Sequence, residues 1–293
     1  MRRTLYLSDL DGTLLRGDET LSPFTIRAVN ELAHKGVCFS YATARSAATA
    51  EKVTAGLRLR VPVIVHNGVF IWDLQTRRRL AWNCFTPGEA AEISTALQAA
   101  DVLPVVYTYS GPDGEGRERF HYWSDPVHGM DGLFPGLRAF LETRRGDPRE
   151  TPTGRREGLL PCSGENPGGL TGEIYYYTCI DRAEKLAPRY ERFRERLTCI
   201  FSPELYTGAQ WLEILPRGAN KASAALRLKQ LLNCSRLVCF GDAANDLPLF
   251  EAADECYAVE NAGPAIKERA TGVIRANDRD GVAKWLLAHA DYA

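Results

Sequence analysis

The apolar-rich run Thr4 to Ser8 is short and is halted by charge, because Asp9-Leu10-Asp11-Gly12-Thr13 follows at once. Such a run predicts a buried strand whose carboxyl end is polar. Ser22-Pro23 then predicts a helix start, with serine as N-cap and proline in the first turn. Ile26, Val29, Leu32 and Ala33 recur at helical spacing, and Gly36 marks the stop. Val37 to Ala42 predicts a second strand, Ser46 opens a second helix, and Val61 to Val65 predicts a third strand. Strands that alternate with helices in this way predict an α/β fold: a doubly wound parallel sheet covered on both faces.

The rhythm returns near the C-terminus. A helix is predicted from about Lys221 to Leu232, then a strand over Leu237 to Phe240 and a short helix after Asp246. A strand near Cys256 to Val259, a helix from Pro264 and a last helix carrying Val282, Trp285 and Leu286 complete it. The middle differs. A hairpin follows Asn67-Gly68, with Arg77-Arg78-Arg79 near its turn. Beyond Thr86 come a helix (Gly88 to Ala100), two strands (Pro104 to Ser110, Arg119 to Ser124) and a helix around Leu137 to Leu141. After a polar stretch from Arg144 to Gly172 come a strand (Glu173 to Ile180), a helix (Ala183 to Leu197) and two strands (Thr198 to Ser202, Gln210 to Leu215). These predict an antiparallel α+β module over residues 85–215, inserted into a core made of residues 1–84 and 216–293. The Arg144 to Gly172 stretch, rich in Gly, Pro and Arg, is expected to be a surface loop.

Bulk properties narrow the function. Lys and Arg number 36 against 37 Asp and Glu, a balance that favours neither nucleic acid nor an anionic membrane as partner. No stretch nears the roughly 18 apolar residues of a membrane span. The run after Met1 is too short for a signal-peptide core, so a cytoplasmic protein is expected. None of the eight cysteines forms a C-x-x-C pair, which argues against a zinc site. Most sit in apolar runs such as Val37-Cys38-Phe39 and are expected to be reduced core residues.

The chemistry gathers where strands end. Asp9 to Thr13, Thr43-Ala44-Arg45 and Gly241-Asp242-Ala243-Ala244-Asn245-Asp246 each follow a predicted strand. In open α/β sheets ligands bind at the carboxyl ends of the strands, so clusters distant in sequence converge. Lys221 opens a helix just before the late strand and points to the same place. Asp9, Asp11, Asp242 and Asp246 packed together need positive compensation. A hard divalent cation supplies it, and magnesium suits carboxylates shared with a substrate phosphate. Asp9 is then placed to attack phosphorus. Asp11, two residues on, projects to the same side of an extended segment, where it serves as acid and then base.

The run Asp9 to Leu15, Thr43, Lys221 and Gly241 to Asp246 resemble, in order, the four motifs of the haloacid dehalogenase superfamily. The insertion point and its α+β content resemble the type IIB cap of Cof-like phosphatases. The resemblance implies a Rossmann-like core with a cap, magnesium as cofactor and a small phosphorylated metabolite as partner, with a monomer or weak homodimer expected. It implies Asp9 as nucleophile and metal ligand, and Asp11 as acid/base with its backbone carbonyl on the metal. Thr43 matches the hydroxyl that binds the phosphoryl group, Lys221 the cation that steadies nucleophile and phosphate, and Asp242 the third metal ligand. Asn245 and Asp246 match supports of the metal shell. Ala44, Arg45 and Asn67 join the phosphate- and substrate-binding set. The sequence departs from the pattern at Ser8 (often Phe), Ala44 (commonly Gly) and Ala222 (usually Gly), and no reactive group is lost.

Plainer readings stand beside these. Asp-Gly is a common turn pair, Asn245-Asp246 is also a helix-start signal, and Asn67-Gly68 reads most simply as a type I′ turn. His66 reads as structural, and Tyr175, Tyr176, Tyr177 and Trp211 as sheet packing. Arg144, Arg145, Arg149, Arg155 and Arg156 read as a solvated loop. The leading expectation is hydrolysis of a small phosphate ester, a sugar phosphate. Rivals are a sugar phosphomutase, a disaccharide-phosphate phosphatase and a non-catalytic phosphometabolite-binding protein.

Overall fold

The computed structural model describes residues 3–111, 116–124, 129–155, 169–203 and 209–291. They fall into two compact units, one formed by Met1–Trp82 with Ala219–Ala293 and the other by Asn83–Gly218. The first unit opens with β1 (Thr4–Ser8), α1 (Pro23–His34), β2 (Cys38–Tyr41), α2 (Ala47–Val53), β3 (Val63–Val65), β4 (Phe70–Asp73) and β5 (Arg78–Trp82). The second unit comprises α3 (Pro87–Gln98), β6 (Pro104–Ser110), β7 (Arg117–Ser124), α4 (Pro135–Glu142), β8 (Glu150–Arg155), β9 (Glu173–Asp181), α5 (Ala183–Phe193), β10 (Thr198–Pro203) and β11 (Gln210–Leu215). The chain returns to the first unit with α6 (Lys221–Leu231), β12 (Arg236–Gly241), α7 (Leu247–Ala252), β13 (Glu255–Val259), α8 (Pro264–Arg269), β14 (Gly272–Ile274) and α9 (Gly281–His289).

The first unit is built on a five-stranded sheet in the order β14-β13-β12-β1-β2. Every pairing in it is parallel. β1 lies between β12 and β2 and is buried along its whole length, as its run of Leu5, Tyr6 and Leu7 demands. Helix α1 packs with α9, and α6 with α7. Both early helices start as expected: the Ser22 hydroxyl accepts from the Thr25 amide at 2.9 Å, and the Ser46 hydroxyl from the Thr49 amide at 3.2 Å. The carboxyl ends of the central strands are tied together. The Asp9 amide donates to the Phe240 carbonyl and the Ala42 amide to the Ser8 carbonyl, each at 2.9 Å.

Two local expectations change here. The third strand is not a full member of the parallel sheet. β3 pairs antiparallel with β4, which pairs with β5, and it meets β2 only through the parallel bridge Ala42–Ile64. The turn at Asn67-Gly68 is not a two-residue type I′ turn either. Val65 pairs with Phe70, so the connection holds His66 to Val69, and His66, Asn67 and Gly68 all have positive φ. The hairpin with Arg77 in its turn is β4–β5.

The second unit carries a six-stranded sheet ordered β10-β11-β9-β6-β7-β8. It is mixed rather than antiparallel, because β8 runs parallel to β7. β8 lies within the stretch expected to be a loop. Among the described residues β8 is an edge strand, where a proline such as Pro152 is tolerated. Residues 156–168 of that stretch, with Arg156 and Cys162, lie outside the described residues. Helices α3 and α5 cover one sheet face, with Ile93, Leu97, Leu186 and Phe193 against Val106, Tyr177 and Leu212. Helix α4 covers part of the other, with Leu137 and Phe140 against Val105 and Ile180. Thr86 and Glu89 form a reciprocal cap at the start of α3. The seven described cysteines are free thiols. Among the described residues no helix is long and apolar enough to cross a membrane.

His121 on β7 gives this unit a pH signature. Its Nε2 pairs with the Thr108 hydroxyl at 2.9 Å, and its Nδ1 is buried without a partner. Burial, helped by the nearby Arg119 charge, pushes its pKa from 6.5 down to about 4. The unfolded chain therefore takes up this proton near pH 6.5, and the folded chain only near 4. The stability this residue protects is complete above pH 6.5 and is lost as pH falls toward 4. Denaturant unfolding at pH 7, 5.5 and 4.5 is expected to show a steeper loss in the parent protein than in His121→Gln, with parallel curves as the contrary result.

Candidate active site

The polar ends of the parallel strands are held together by one ammonium group. Lys221 is the first residue of α6, behind an Asn220 N-cap that accepts from the Ser223 amide at 2.9 Å. Its Nζ donates to Asp9 Oδ1 and to Asp246 Oδ1, both at 2.7 Å. The three side chains are closed to solvent, at 1% for Lys221, 7% for Asp9 and 0% for Asp246. The other oxygen of Asp246 accepts from the amides of Asp242 and Ala243, at 3.1 and 3.2 Å, which fixes the loop after β12. Asp242 in turn accepts from the Thr13 hydroxyl at 2.6 Å.

Two glycines make the approach possible. Gly12 has φ +73°, and a Cβ there would lie 2.3 Å from Asp242 Oδ2. Gly68 has φ +97°, and a Cβ there would lie 2.1 Å from the Asn220 carbonyl oxygen. The loop after β3 therefore lies directly on the backbone that presents Lys221.

One oxygen each from Asp9, Asp242 and Asp246 lie within 4.8 Å of one another. These carboxylates outnumber the one ammonium among them, and their pKa values register the shortage. Burial, opposed by Lys221, raises Asp9 to about 8. Burial also raises Asp242 to about 6 against the pull of the Thr13 hydroxyl. Burial works against the charge on Lys221, yet the two carboxylates outweigh it and raise its pKa. A buried, all-oxygen donor set short of positive charge fits a hard divalent cation.

The remaining sequence candidates sort into two groups. Thr43 is fully buried, its hydroxyl accepts from the Arg45 amide at 3.1 Å, and its carbonyl accepts from the Asn67 amide at 2.9 Å. Asn245 Nδ2 donates to Asn67 Oδ1 at 3.4 Å, while Asn245 Oδ1 is buried without a partner. Ala44 is exposed. Asp11, in contrast, does not join the carboxylate trio. Its exposed carboxylate is gripped by Arg45, whose Nε and Nη2 donate at 2.9 and 2.5 Å. Arg45 Nη2 also donates to Glu19 at 2.8 Å. Glu19 escaped the sequence reading, since an acid in a Gly-Asp-Glu turn carries no distinguishing signal. Asp246, which the sequence groups with Asp9 and Asp242 as carboxylates in need of positive charge, shares Lys221 with Asp9. The spacing of Asp242 and Asp246 after one strand was the signal for it.

Known proteins place this geometry in a family. Residues 6–115 and 173–286 match the family model described as haloacid dehalogenase-like hydrolase. The chain is 27% identical to the 5-amino-6-(5-phospho-D-ribitylamino)uracil phosphatase YwtE of Bacillus subtilis, over 97% of this chain and 98% of that one. It is 26% identical to an HMP-PP phosphatase of Escherichia coli, over 88% of this chain and 85% of the relative. Its fold matches the crystal structure of a Thermotoga maritima protein with a TM-score of 0.73 at 22% identity, covering 99% and 98% of the two chains. A haloacid dehalogenase-like hydrolase from B. subtilis matches with a TM-score of 0.73 at 22% identity, covering 97% and 99%. The chain belongs to the haloacid dehalogenase-like hydrolases. Within them it is a phosphatase, and the reading as a non-catalytic binding protein falls away.

Gly68→Ala tests the seat of Lys221. The added Cβ and the strained φ are expected to cost about 1 to 3 kcal/mol of stability. Displacement of the Lys221 backbone is expected to lower phosphatase turnover by about a hundredfold. Denaturant midpoints and steady-state rates check both, and unchanged turnover would break the link between Gly68 and Lys221.

Proposed function

We propose that the chain hydrolyses a small phosphate monoester with magnesium, through a phosphoryl group carried transiently on Asp9. The observation that carries this reading is the Lys221 bridge between Asp9 and Asp246, with Asp242 beside them. It describes a carboxylate held rigidly among compensating charges at the end of a strand, as a nucleophile requires. In this reading Met1–Trp82 with Ala219–Ala293 is the catalytic core and Asn83–Gly218 the cap.

In the first half-reaction a carboxylate oxygen of Asp9 bonds to phosphorus, and the bond from phosphorus to the ester oxygen breaks. Asp11 gives the departing oxygen its proton. In the second, Asp11 takes a proton from water as that water bonds to phosphorus, and the bond to Asp9 breaks to release phosphate. Lys221 keeps Asp9 fixed throughout and faces the phosphoryl charge. Arg45 orients Asp11 through its two-pronged contact. The Thr43 hydroxyl, the Ala44 and Arg45 backbone, Asn67 and Asn245 receive the phosphoryl oxygens. Asp9, Asp242 and the Asp11 carbonyl would hold magnesium, with Asp246 beside them. When bound, the metal offsets the charge of the phosphoryl group and the carboxylates.

The substrate class proposed is a phosphorylated sugar or sugar alcohol. The relative named for a phospho-D-ribitylamino compound supports it. The test is a panel of phosphate esters with and without magnesium, scored by release of inorganic phosphate. Turnover is expected to vanish on chelation and to return with magnesium. Asp9→Asn is expected to retain less than about 0.1% of it. Metal-independent turnover, an active Asp9→Asn protein, or an isomeric phosphate ester as the main product would overturn the proposal.

A further inference from the structure

The segment between β1 and α1 contains a tight turn that ends on a strained residue. The Arg16 amide donates to the Thr20 carbonyl at 2.9 Å, and the Glu19 amide to the Arg16 carbonyl at 3.0 Å. Asp18 Oδ1 accepts from the Thr20 amide at 3.1 Å and from the Thr20 hydroxyl at 2.6 Å. Glu19, the last residue inside the turn, has φ +60°. Glycine takes up this conformation without penalty. Glutamate lacks the short polar side chain that eases it for asparagine and aspartate. The turn is also pinned from outside. The Gly17 amide donates to Asp278 Oδ1 at 3.0 Å, and Arg16 faces Asp280 at 3.8 Å.

A glutamate thus stands where the backbone suits glycine, and strain of this kind points to a function. Glu19 Oε2 accepts from Arg45 Nη2 at 2.8 Å. The other hydrogen of that nitrogen goes to Asp11 Oδ1 at 2.5 Å, and Arg45 Nε reaches Asp11 Oδ2 at 2.9 Å. One guanidinium is therefore gripped by two acids. The Arg45 backbone is already fixed, since its amide donates to the Thr43 hydroxyl and its carbonyl accepts from the His66 amide. Only the side chain is left to be placed. Asp11 and Glu19 are open to solvent, at 47% and 65%, whereas the Arg45 side chain is at 20%. A single exposed ion pair fixes neither partner well and adds little to stability. With both acids in place, Arg45 cannot swing toward solvent without leaving two carboxylates.

We infer that Glu19 is a positioning residue for the reaction: it anchors Arg45, and through Arg45 it fixes the Asp11 carboxylate for proton transfer. This rests on the reading of Asp11 as acid and base given above. Glu19 acts through Arg45 and not on the substrate. A misplaced acid is felt most where the departing oxygen needs a proton to leave. Phenyl phosphate has such a leaving group. The p-nitrophenolate ion departs far more readily without one.

The test uses Glu19→Gly, which removes the carboxylate and suits the backbone. It is expected to melt close to the parent's temperature, so that a loss of activity is not a loss of fold. The two esters share a ring and differ in leaving group. Glu19→Gly is expected to lose about tenfold more kcat/KM on phenyl phosphate than on p-nitrophenyl phosphate. Asp11→Asn is expected to show the same selectivity more strongly. In an Arg45→Ala background Glu19→Gly is expected to change either value less than about twofold. If Asp11→Asn discriminates between the esters and Glu19→Gly does not, the inference is overturned. An undiminished effect of Glu19→Gly without Arg45 overturns it as well. If Asp11→Asn fails to discriminate, or the parent hydrolyses neither ester, the proposed mechanism falls and a readout without turnover decides about Glu19. That readout is the Arg45 Nε–H resonance, assigned by its loss in Arg45→Ala. In Glu19→Gly it is expected to exchange with water about tenfold faster, and an unchanged rate overturns the inference.

Discussion

Everything at the end of the parallel sheet depends on the Lys221 ammonium. It is buried, it touches two carboxylates, and it comes from a part of the chain remote from Asp9. A buried charge set of this kind is a poor source of stability, because desolvation offsets much of the attraction. What it does provide is position. Neither Asp9 nor Asp246 can turn away without leaving a charge unpaired in a place closed to water. The rest of the structure serves this contact. The Asn220 cap starts α6 at the right residue, Gly68 allows the neighbouring loop to lie against it, and the second oxygen of Asp246 ties down the loop that carries Asp242.

The shortage of positive charge is as informative as the bridge. One ammonium cannot balance Asp9, Asp242 and Asp246, and burial, joined by repulsion from Asp246, raises the pKa values of Asp9 and Asp242. Arg45 does not relieve it, since its guanidinium is occupied by Asp11 and Glu19. Two charge systems thus stand apart: a buried one in need of a cation, and a more open one that pairs Asp11 with Arg45. The division matches the two jobs proposed, attack by one acid and proton transfer by the other.

How much of this was legible in the sequence depended on the kind of signal. Asp9, Thr43 and Asp242 could be located because a strand buried on both faces is apolar until it ends, so polar residues mark its end. Lys221 was legible from its place at a helix start. Elements whose residues contradict their surroundings were missed. β8 carries Pro152 and Gly154, which read as loop, and is a strand only because it occupies an edge. β14 is three residues long and gives no period to detect. The positive φ values of His66 and Asn67 arise from hydrogen bonds to residues 45 and 43, a constraint that local sequence does not express. The pairing of Arg45 with Glu19 likewise depends on two loops meeting in space.

The chain crosses between the two units at only two points, after Trp82 and after Gly218. Lys221 therefore lies three residues beyond the second crossing, and the strands bearing Asp9 and Thr43 precede the first. Asp9 and Lys221 are joined covalently only through the second unit. They are joined noncovalently by the full-length pairing of β1 with β12. The first unit is thus already divided into two complementary fragments, which meet along this strand pair, where α1 packs with α9, and where the Gly68 loop lies on Asn220. The residues that set Lys221 in place, Gly68 and Asn220, both belong to the first unit, so the intervening segment does not decide where the ammonium sits.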